Sequence, residues 1–261
     1  MSGAASRPFD VVGFDADDTL WHSEDSFVAV ERRFVELVEP HVAGGVDVRA
    51  GLRATERRHV PISGYGVKAF TLSMVECAVT LTGGAVPGTV VGDIVALGLA
   101  MLTEPVRLLD HVADVLADVG SDHRMVLITK GDLVHQWRKL EMSGLAHHFE
   151  HIDVVMEKDE ATYRRVLADV DTPPERFCMV GNSVRSDVLP VLAIGGHAVH
   201  IEYEYTWEHE LVEGHADVVT AVSILDVPGL VREYRGERGP SCLPRRSTTR
   251  VDRPADRRPR R

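Results

Sequence analysis

The chain has 261 residues, 44% hydrophobic and 26% charged, a balance that supports one full core plus a smaller unit. Its formal net charge of −11 excludes a general nucleic-acid or anionic-membrane binder as the task of the folded body. Three scattered cysteines, Cys77, Cys178 and Cys242, offer neither a disulfide frame nor zinc spacing and fit a reducing cytoplasm.

In chain order, the opening "MSGAASRPFD" lacks the apolar core of a secretory signal. The run Phe9–Phe14 is apolar and Val-rich and predicts a buried strand. It ends in three carboxylates within four residues, Asp15, Asp17 and Asp18, which repel one another and are costly to desolvate. Residues 21–105 then read as helices without strands: "EDSFVAVERRFVELVEP", a shorter segment around "DVRAGLRATERRH", "VKAFTLSMVECAVTLTGG" and "PGTVVGDIVALGLAMLTEP". The most apolar stretch, "TVVGDIVALGLAML", is interrupted by Asp93 and is too short to span a bilayer, so no membrane partner is expected.

From residue 106 the rhythm changes to alternation. "VRLLDHVADVLADVG" predicts a helix, "RMVLIT" a strand, and "DLVHQWRKLEMSG" a helix capped by Asp132. "HIDVVM", "RFCMV", "HAVHI" and "ADVVT" read as further strands. "DEATYRRVLADV", a segment near Trp207 and "SVRSDVLPVLAIGG" read as helices, the last kinked at Pro190. Strand–helix alternation predicts an α/β fold, a doubly wound parallel sheet, with the helical block as an insertion. The expected units are 8–20 with 106–235 as the α/β core, 21–105 as a helical cap, and 236–261 as a disordered Arg/Pro-rich tail. From Arg232 onward 11 arginines stand against 4 acidic residues with few apolar ones.

In parallel sheets ligands gather at the carboxyl ends of the strands, and four predicted strands deliver polar groups there. Asp15 and Asp17 follow the first, Thr129, Lys130 and Gly131 the second, Lys158 the third, and Asn182, Ser183 and Asp187 the fourth. Only four of the 29 basic residues are lysine: Lys68, Lys130, Lys139 and Lys158. A lysine kept at a strand end, in a chain that otherwise uses arginine, fits a need for a compact point charge. Oxygen-only donors from Asp15, Asp17 and Asp187 suit Mg²⁺ better than zinc. A carboxylate attacking phosphorus needs a cation, a lysine and hydroxyl donors around the phosphoryl oxygens. A second carboxylate can protonate the leaving oxygen and later deprotonate water.

Taken in order, "DADDT", "LITK", "EKD" and "GNSVRSD" resemble the four motifs of the haloacid dehalogenase-like hydrolase superfamily, over roughly residues 9–230. The helical block resembles the cap that this family inserts between motifs one and two. The resemblance implies a Rossmann-like core and assigns Asp15 as nucleophile and metal ligand. Asp17 becomes general acid and base, with its backbone carbonyl on the metal. Thr129, Lys130 and Lys158 become phosphoryl-binding groups, and Asp187 and Asn182 complete the Mg²⁺ site. Asn182 departs from the family pattern, since many members have Asp there. The acid at position 17 points to phosphatases and phosphomutases rather than to dehalogenases. The expected function is a Mg²⁺-dependent phosphatase acting on a small phosphorylated metabolite through an aspartyl-phosphate. The alternatives are a phosphomutase or a non-catalytic binder of a phosphorylated ligand.

Other patterns are set aside. "HELVEGH" places His215 six residues after His209, not the four of a zinc-protease helix. His147, His148 and His151 read as a solvated loop, and His197 and His200 lack a third ligand. "GYG" at 64–66 reads as a turn joining helices or a substrate-facing loop beside Lys68.

Overall fold

The computed structural model describes residues 8–204 and 218–234. The helix expected near Trp207, the "HELVEGH" segment and the Arg/Pro-rich tail lie outside them.

Among the described residues six parallel strands form one sheet in the order β3-β2-β1-β4-β5-β6. They are β1 (Val11–Phe14), β2 (Arg124–Lys130), β3 (His151–Val155), β4 (Phe177–Gly181), β5 (His197–Ile201) and β6 (Thr220–Ala221). The side-chain period of two divides each inner strand between two cores. Val12 and Phe14 of β1, Leu127 of β2, and Cys178 and Val180 of β4 enter one. Val11, Val126, Phe177 and Met179 enter the other. Helices cover both faces, as doubly wound topology requires. α5 (Val112–Gly120) and α9 (Val227–Arg232) pack into the first core; α7 (Glu160–Asp169) and α8 (Leu189–Ala193) pack into the second. Gly13 is required by close packing, since a Cβ there would lie 2.6 Å from the Phe177 ring.

Between β1 and β2 the chain builds α1 (Glu24–Val38), α2 (Val48–Ser63), α3 (Val67–Leu81) and α4 (Gly88–Thr103). They enclose a separate core of Phe34, Leu52, Phe70, Met74 and Ile94. α6 (Leu133–Ser143) follows β2, with the Asp132 carboxylate accepting from the His135 amide at 2.9 Å as its N-cap.

Three local expectations differ from the structure. Residues 106–111 are not helical, because the chain turns at His111 with φ +67° before α5 begins. Pro190 occupies the first turn of α8, where its missing N–H costs nothing, rather than kinking a longer helix. A π-turn, Val184–Val188, precedes it. Of the described part of "ADVVT", residues 218–220, only Thr220 belongs to a strand, paired with β5.

The strand order reverses across β1 and β4: β2 lies on one side of β1 and β4 on the other. That is the crevice where open α/β sheets bind ligands. Asp15 follows β1 and Asn182 follows β4, so the two residues flank it.

Candidate active site

A cavity of about 220 Å³ opens over this crevice beneath the inserted helices. Asp15, Asp17, Thr129, Lys130, Lys158, Asn182 and Asp187 all line it.

Lys158 lies at the floor, 3% exposed, and is hydrogen-bonded to Asp15 and, at 2.6 Å, to Asp187. Burial opposes its charge, but the two carboxylates raise its pKa well above the usual lysine range. Burial and the nearby Asp187 and Asp17 charges push Asp15 up to about 7, although Lys158 pulls the other way. Asp187 is committed within the protein. Its second oxygen accepts the Ser183 amide at 3.0 Å, and Gly181 leaves it room, since a Cβ there would lie 2.3 Å from that oxygen.

Asp17 meets different surroundings. Its Oδ1 accepts from Trp21 Nε1 at 2.6 Å and Lys139 Nζ at 2.5 Å, and its Oδ2 from Gln136 Nε2 at 3.1 Å. Burial would raise its pKa, but the Lys139 charge and these hydrogen bonds outweigh that and hold it below the ordinary carboxylate range. Thr129, 2% exposed, accepts from Gln136 Nε2 at 2.7 Å. Lys130 donates to Ser186 Oγ at 2.8 Å and lies 4.6 Å from the centre of the Tyr65 ring.

Asp18, the third carboxylate of the opening cluster, has a structural task. It adopts φ +61° and accepts the Ser23 amide at 2.8 Å and the Glu24 amide at 3.1 Å, closing the start of α1. Asp tolerates this left-handed conformation because its short side chain can bond locally.

The donor set at the crevice fits a hard divalent cation. The Asn182 amide terminus lies 3.2 Å from the Asp17 carbonyl oxygen and 3.3 Å from Asp15 Oδ2. With its nitrogen inward the amide donates to those oxygens; with its oxygen inward, it joins the Asp17 carbonyl and Asp15 Oδ2 as oxygen donors close enough to share one cation. One carboxylate, one carbonyl and one amide, with room for water, suit Mg²⁺. Among the described residues no group of three or more His, Cys, Asp or Glu side chains forms a closed metal cage. In the histidine-rich turn the His147 and His148 rings are tilted to each other with centres 4.0 Å apart, and His147 Nδ1 lies 2.8 Å from the Gly144 carbonyl oxygen.

The family model for haloacid dehalogenase-like hydrolases matches residues 9–195. The chain belongs to this family. It is 42% identical to a haloacid dehalogenase-like family hydrolase from Xanthomonas campestris, covering 88% of this chain and 93% of that one with a TM-score of 0.77. It is 29% identical to the glyceraldehyde 3-phosphate phosphatase of Methanothermobacter thermautotrophicus over 44% of this chain and 54% of that protein. The chain thus matches about half the length of that relative. The fold of a predicted phosphoglycolate phosphatase from Haemophilus somnus is also shared: TM-score 0.60 and 16% identity over 87% of this chain and 99% of that one.

In this hydrolase the strand-end residues come together as their order in the chain implied. Several neighbours gave no strand-end signal. Lys139 and Gln136 come from within α6, Trp21 from the segment before α1, and Tyr65 from the turn before α3. The upper wall is formed by Phe27, Val60, Ala69 and Phe70, with Glu24 and His59 among them. Burial, with the charges of Asp18, Glu56 and Glu31 beside it, pushes Glu24 up to about 8. The scarcity of lysine was the one available clue to Lys139: three of the four lysines line the cavity. Lys68 pairs instead with Asp132 at 2.9 Å.

Proposed function

We propose that this hydrolase is a Mg²⁺-dependent phosphatase that hydrolyses a small phosphorylated metabolite through an aspartyl-phosphate on Asp15. The observation that carries this reading is the division of labour between two carboxylates on one loop. Asp15 is buried against the Lys158 ammonium, where an incoming phosphoryl group would meet both nucleophile and counter-charge. Asp17 stands beside it in the same cavity as a separate carboxylate.

In the first step an oxygen of Asp15 attacks phosphorus, the bond to the ester oxygen breaks, and that oxygen takes a proton from Asp17, whose protonated form is favoured once the negative charge of the bound phosphate stands beside it. In the second, Asp17 takes a proton from water, whose oxygen attacks the same phosphorus and releases phosphate and Asp15. Thr129 and Lys130 would hold phosphoryl oxygens beside Lys158. Asp187 holds Lys158 in place, so that its part in metal binding is indirect. Asp15, the Asp17 carbonyl and Asn182 would hold Mg²⁺, which when bound offsets the charge repulsion between carboxylates and phosphate. The phosphatase of Methanothermobacter thermautotrophicus supports the substrate class. The cavity volume fits a small molecule, and its apolar upper wall suits a leaving group with a hydrocarbon part. The compartment proposed is a reducing cytoplasm, a reading supported by Cys77 and Cys178, which are free and buried. No described helix is long and apolar enough to cross a membrane.

The test is phosphate release from p-nitrophenyl phosphate and a panel of phosphorylated metabolites, with Mg²⁺ and with EDTA. Turnover that needs Mg²⁺ and leaves acid-stable phosphate on the protein is the expected result. Binding of phosphate esters without release of phosphate would overturn it.

A further inference from the structure

Two side chains of α6, Gln136 and Lys139, stand three residues apart and therefore share a helix face. That face meets the Asp17 carboxylate. The two oxygens of Asp17 are treated unequally. Oδ1 takes the Lys139 ammonium and the Trp21 indole N–H, at 2.5 and 2.6 Å. Oδ2 takes one longer bond, 3.1 Å, from Gln136. The Gln136 nitrogen has two hydrogens and three acceptors in range, the others being Thr129 Oγ1 at 2.7 Å and the Lys130 carbonyl at 2.9 Å. It can release Asp17 and remain satisfied. Trp21 cannot move as freely, because its ring is 1% exposed and packed in the sheet core.

On the phosphatase reading above, we infer that Lys139 is a positioning residue: with Trp21 it anchors Oδ1 of Asp17 so that Oδ2 alone faces the leaving oxygen and exchanges the proton. An oxygen that already accepts an ammonium and an indole N–H has no lone pair aimed at the substrate. The oxygen held only by an exchangeable amide has one. Without the anchor the carboxylate rotates about its Cβ–Cγ bond and the proton is delivered from a scattered set of positions. Attack by Asp15 does not use this anchor, so in the transfer step the anchor matters only when the leaving oxygen needs a proton.

The test compares kcat/KM, which reports phosphoryl transfer to Asp15, for two esters. p-Nitrophenolate departs without a proton; the alkoxide of an alkyl phosphate does not. Lys139→Met should lower kcat/KM for the best alkyl phosphate of the metabolite panel by about 30-fold or more, a part of the roughly 10²- to 10⁴-fold that general-acid catalysis contributes. The loss with p-nitrophenyl phosphate should be several-fold smaller, and Lys139→Arg should recover most of the alkyl activity. Equal losses on both esters, or none on either, would overturn the inference. A second measurement does not depend on turnover. The Trp21 indole N–H resonance in a ¹⁵N spectrum should move in Lys139→Met, and in Lys139→Gln should the first variant not fold. An unmoved resonance would overturn the anchor. If the wild type releases phosphate from neither ester, the phosphatase reading fails, while the indole resonance still decides whether Lys139 and Trp21 hold Asp17 together.

Discussion

The floor of the cavity and the wall opposite are assembled by different parts of the chain. On the floor every polar group ends or closely follows a strand: Asp15 after β1, Thr129 and Lys130 at the end of β2, Lys158 after β3, Asn182 after β4. On the wall the groups come from helices and the turns between them: Lys139 and Gln136 from α6, Glu24 from the first turn of α1, Tyr65 from between α2 and α3. The electrostatics divide along the same line. Asp15 on the floor is raised by burial among carboxylates, whereas Asp17, leaning on the wall, is lowered because Lys139 and the bonds it accepts outweigh burial. A parallel sheet aligns its strand ends, so chain order alone nearly sets which floor groups meet. A helical residue faces the cavity only because its helix packs at a particular angle, and that angle is a tertiary outcome.

The most severe way to break the floor is to remove its nucleophile. Asp15→Asn should cost at least about 10³-fold in turnover, since nucleophile deletions in enzymes reach larger losses. The melting temperature should change little, because Lys158 keeps Asp187 as a partner. Single-turnover release of p-nitrophenolate, with a thermal melt on the same sample, checks both halves. Turnover near the wild-type rate would remove Asp15 as the covalent site.

The next effect separates two kinds of floor residue. Asp187 gives both oxygens to protein donors, whereas Asn182 reaches the carbonyl and carboxylate oxygens at the crevice. Asp187→Asn should therefore lower turnover by about 10- to 100-fold, the cost of leaving a buried ammonium partly unpaired. It should shift the Mg²⁺ concentration for half activity only slightly. Asn182→Asp, which adds a charge to the donor set, should lower that concentration. A Mg²⁺ titration of the two variants and the wild type decides the matter. A large rise in the Mg²⁺ requirement of Asp187→Asn would restore Asp187 as a direct ligand.

How much of this was legible in the sequence follows from the same division. The α/β alternation, the four inserted helices and the order of the floor groups were readable, because strands and helices carry periods of two and 3.6 and the floor depends only on topology. Asp18 was left out of the site from the sequence, but its own task was not legible there. Its role depends on a left-handed turn that aims it back at the Ser23 and Glu24 amides, and nothing in "DADD" specifies that turn. Lys139 falls inside an ordinary amphipathic helix, and only its being one of four lysines set it apart. The helix expected over 183–196 with a kink at Pro190 instead starts as a π-turn, in which Asp187 folds under Gly181 to reach the Ser183 amide and Lys158.

A fourth variant sharpens the wall through its pH response. Glu24 is pushed from 4.5 up to about 8 by burial and by Asp18, Glu56 and Glu31. Between those values the unfolded chain has lost a proton that the folded protein keeps. Stability therefore falls as pH rises from about 4.5 to about 8. A carboxylate in the first turn of a helix gains a few tenths of a kcal/mol from the helix dipole, too little to reverse this. Glu24→Gln should melt close to the wild type at pH 5 and on the order of ten degrees higher at pH 9, since such a rise in pKa corresponds to several kcal/mol and each kcal/mol to roughly 2–4 °C in a protein of this size. Equal melting temperatures at pH 9 would show that Glu24 is neutralised by a neighbour.

The smallest effect lies where wall and floor touch. Tyr65 donates to Glu157 at 2.8 Å and Lys68 pairs with Asp132 at 2.9 Å, so the turn between α2 and α3 is tied to the loops after β3 and β2. The Lys68 side chain is 53% exposed, which limits such a pair to less than about 1 kcal/mol and makes it sensitive to salt. Asp132 also caps α6, and that task does not need Lys68. The two residues should therefore separate. Lys68→Ala should raise KM for the best metabolite by about 2- to 5-fold, the equivalent of such a pair, and leave the melting temperature unchanged. Asp132→Ala should raise KM similarly but also lower stability by about 1 kcal/mol through the lost cap. In 0.5 M NaCl the KM difference between wild type and Lys68→Ala should shrink while the stability loss of Asp132→Ala persists. A KM for Lys68→Ala equal to wild type at low salt would mean that the inserted helices are held over the site by their packing and by Tyr65, and that this ion pair contributes nothing to closing it.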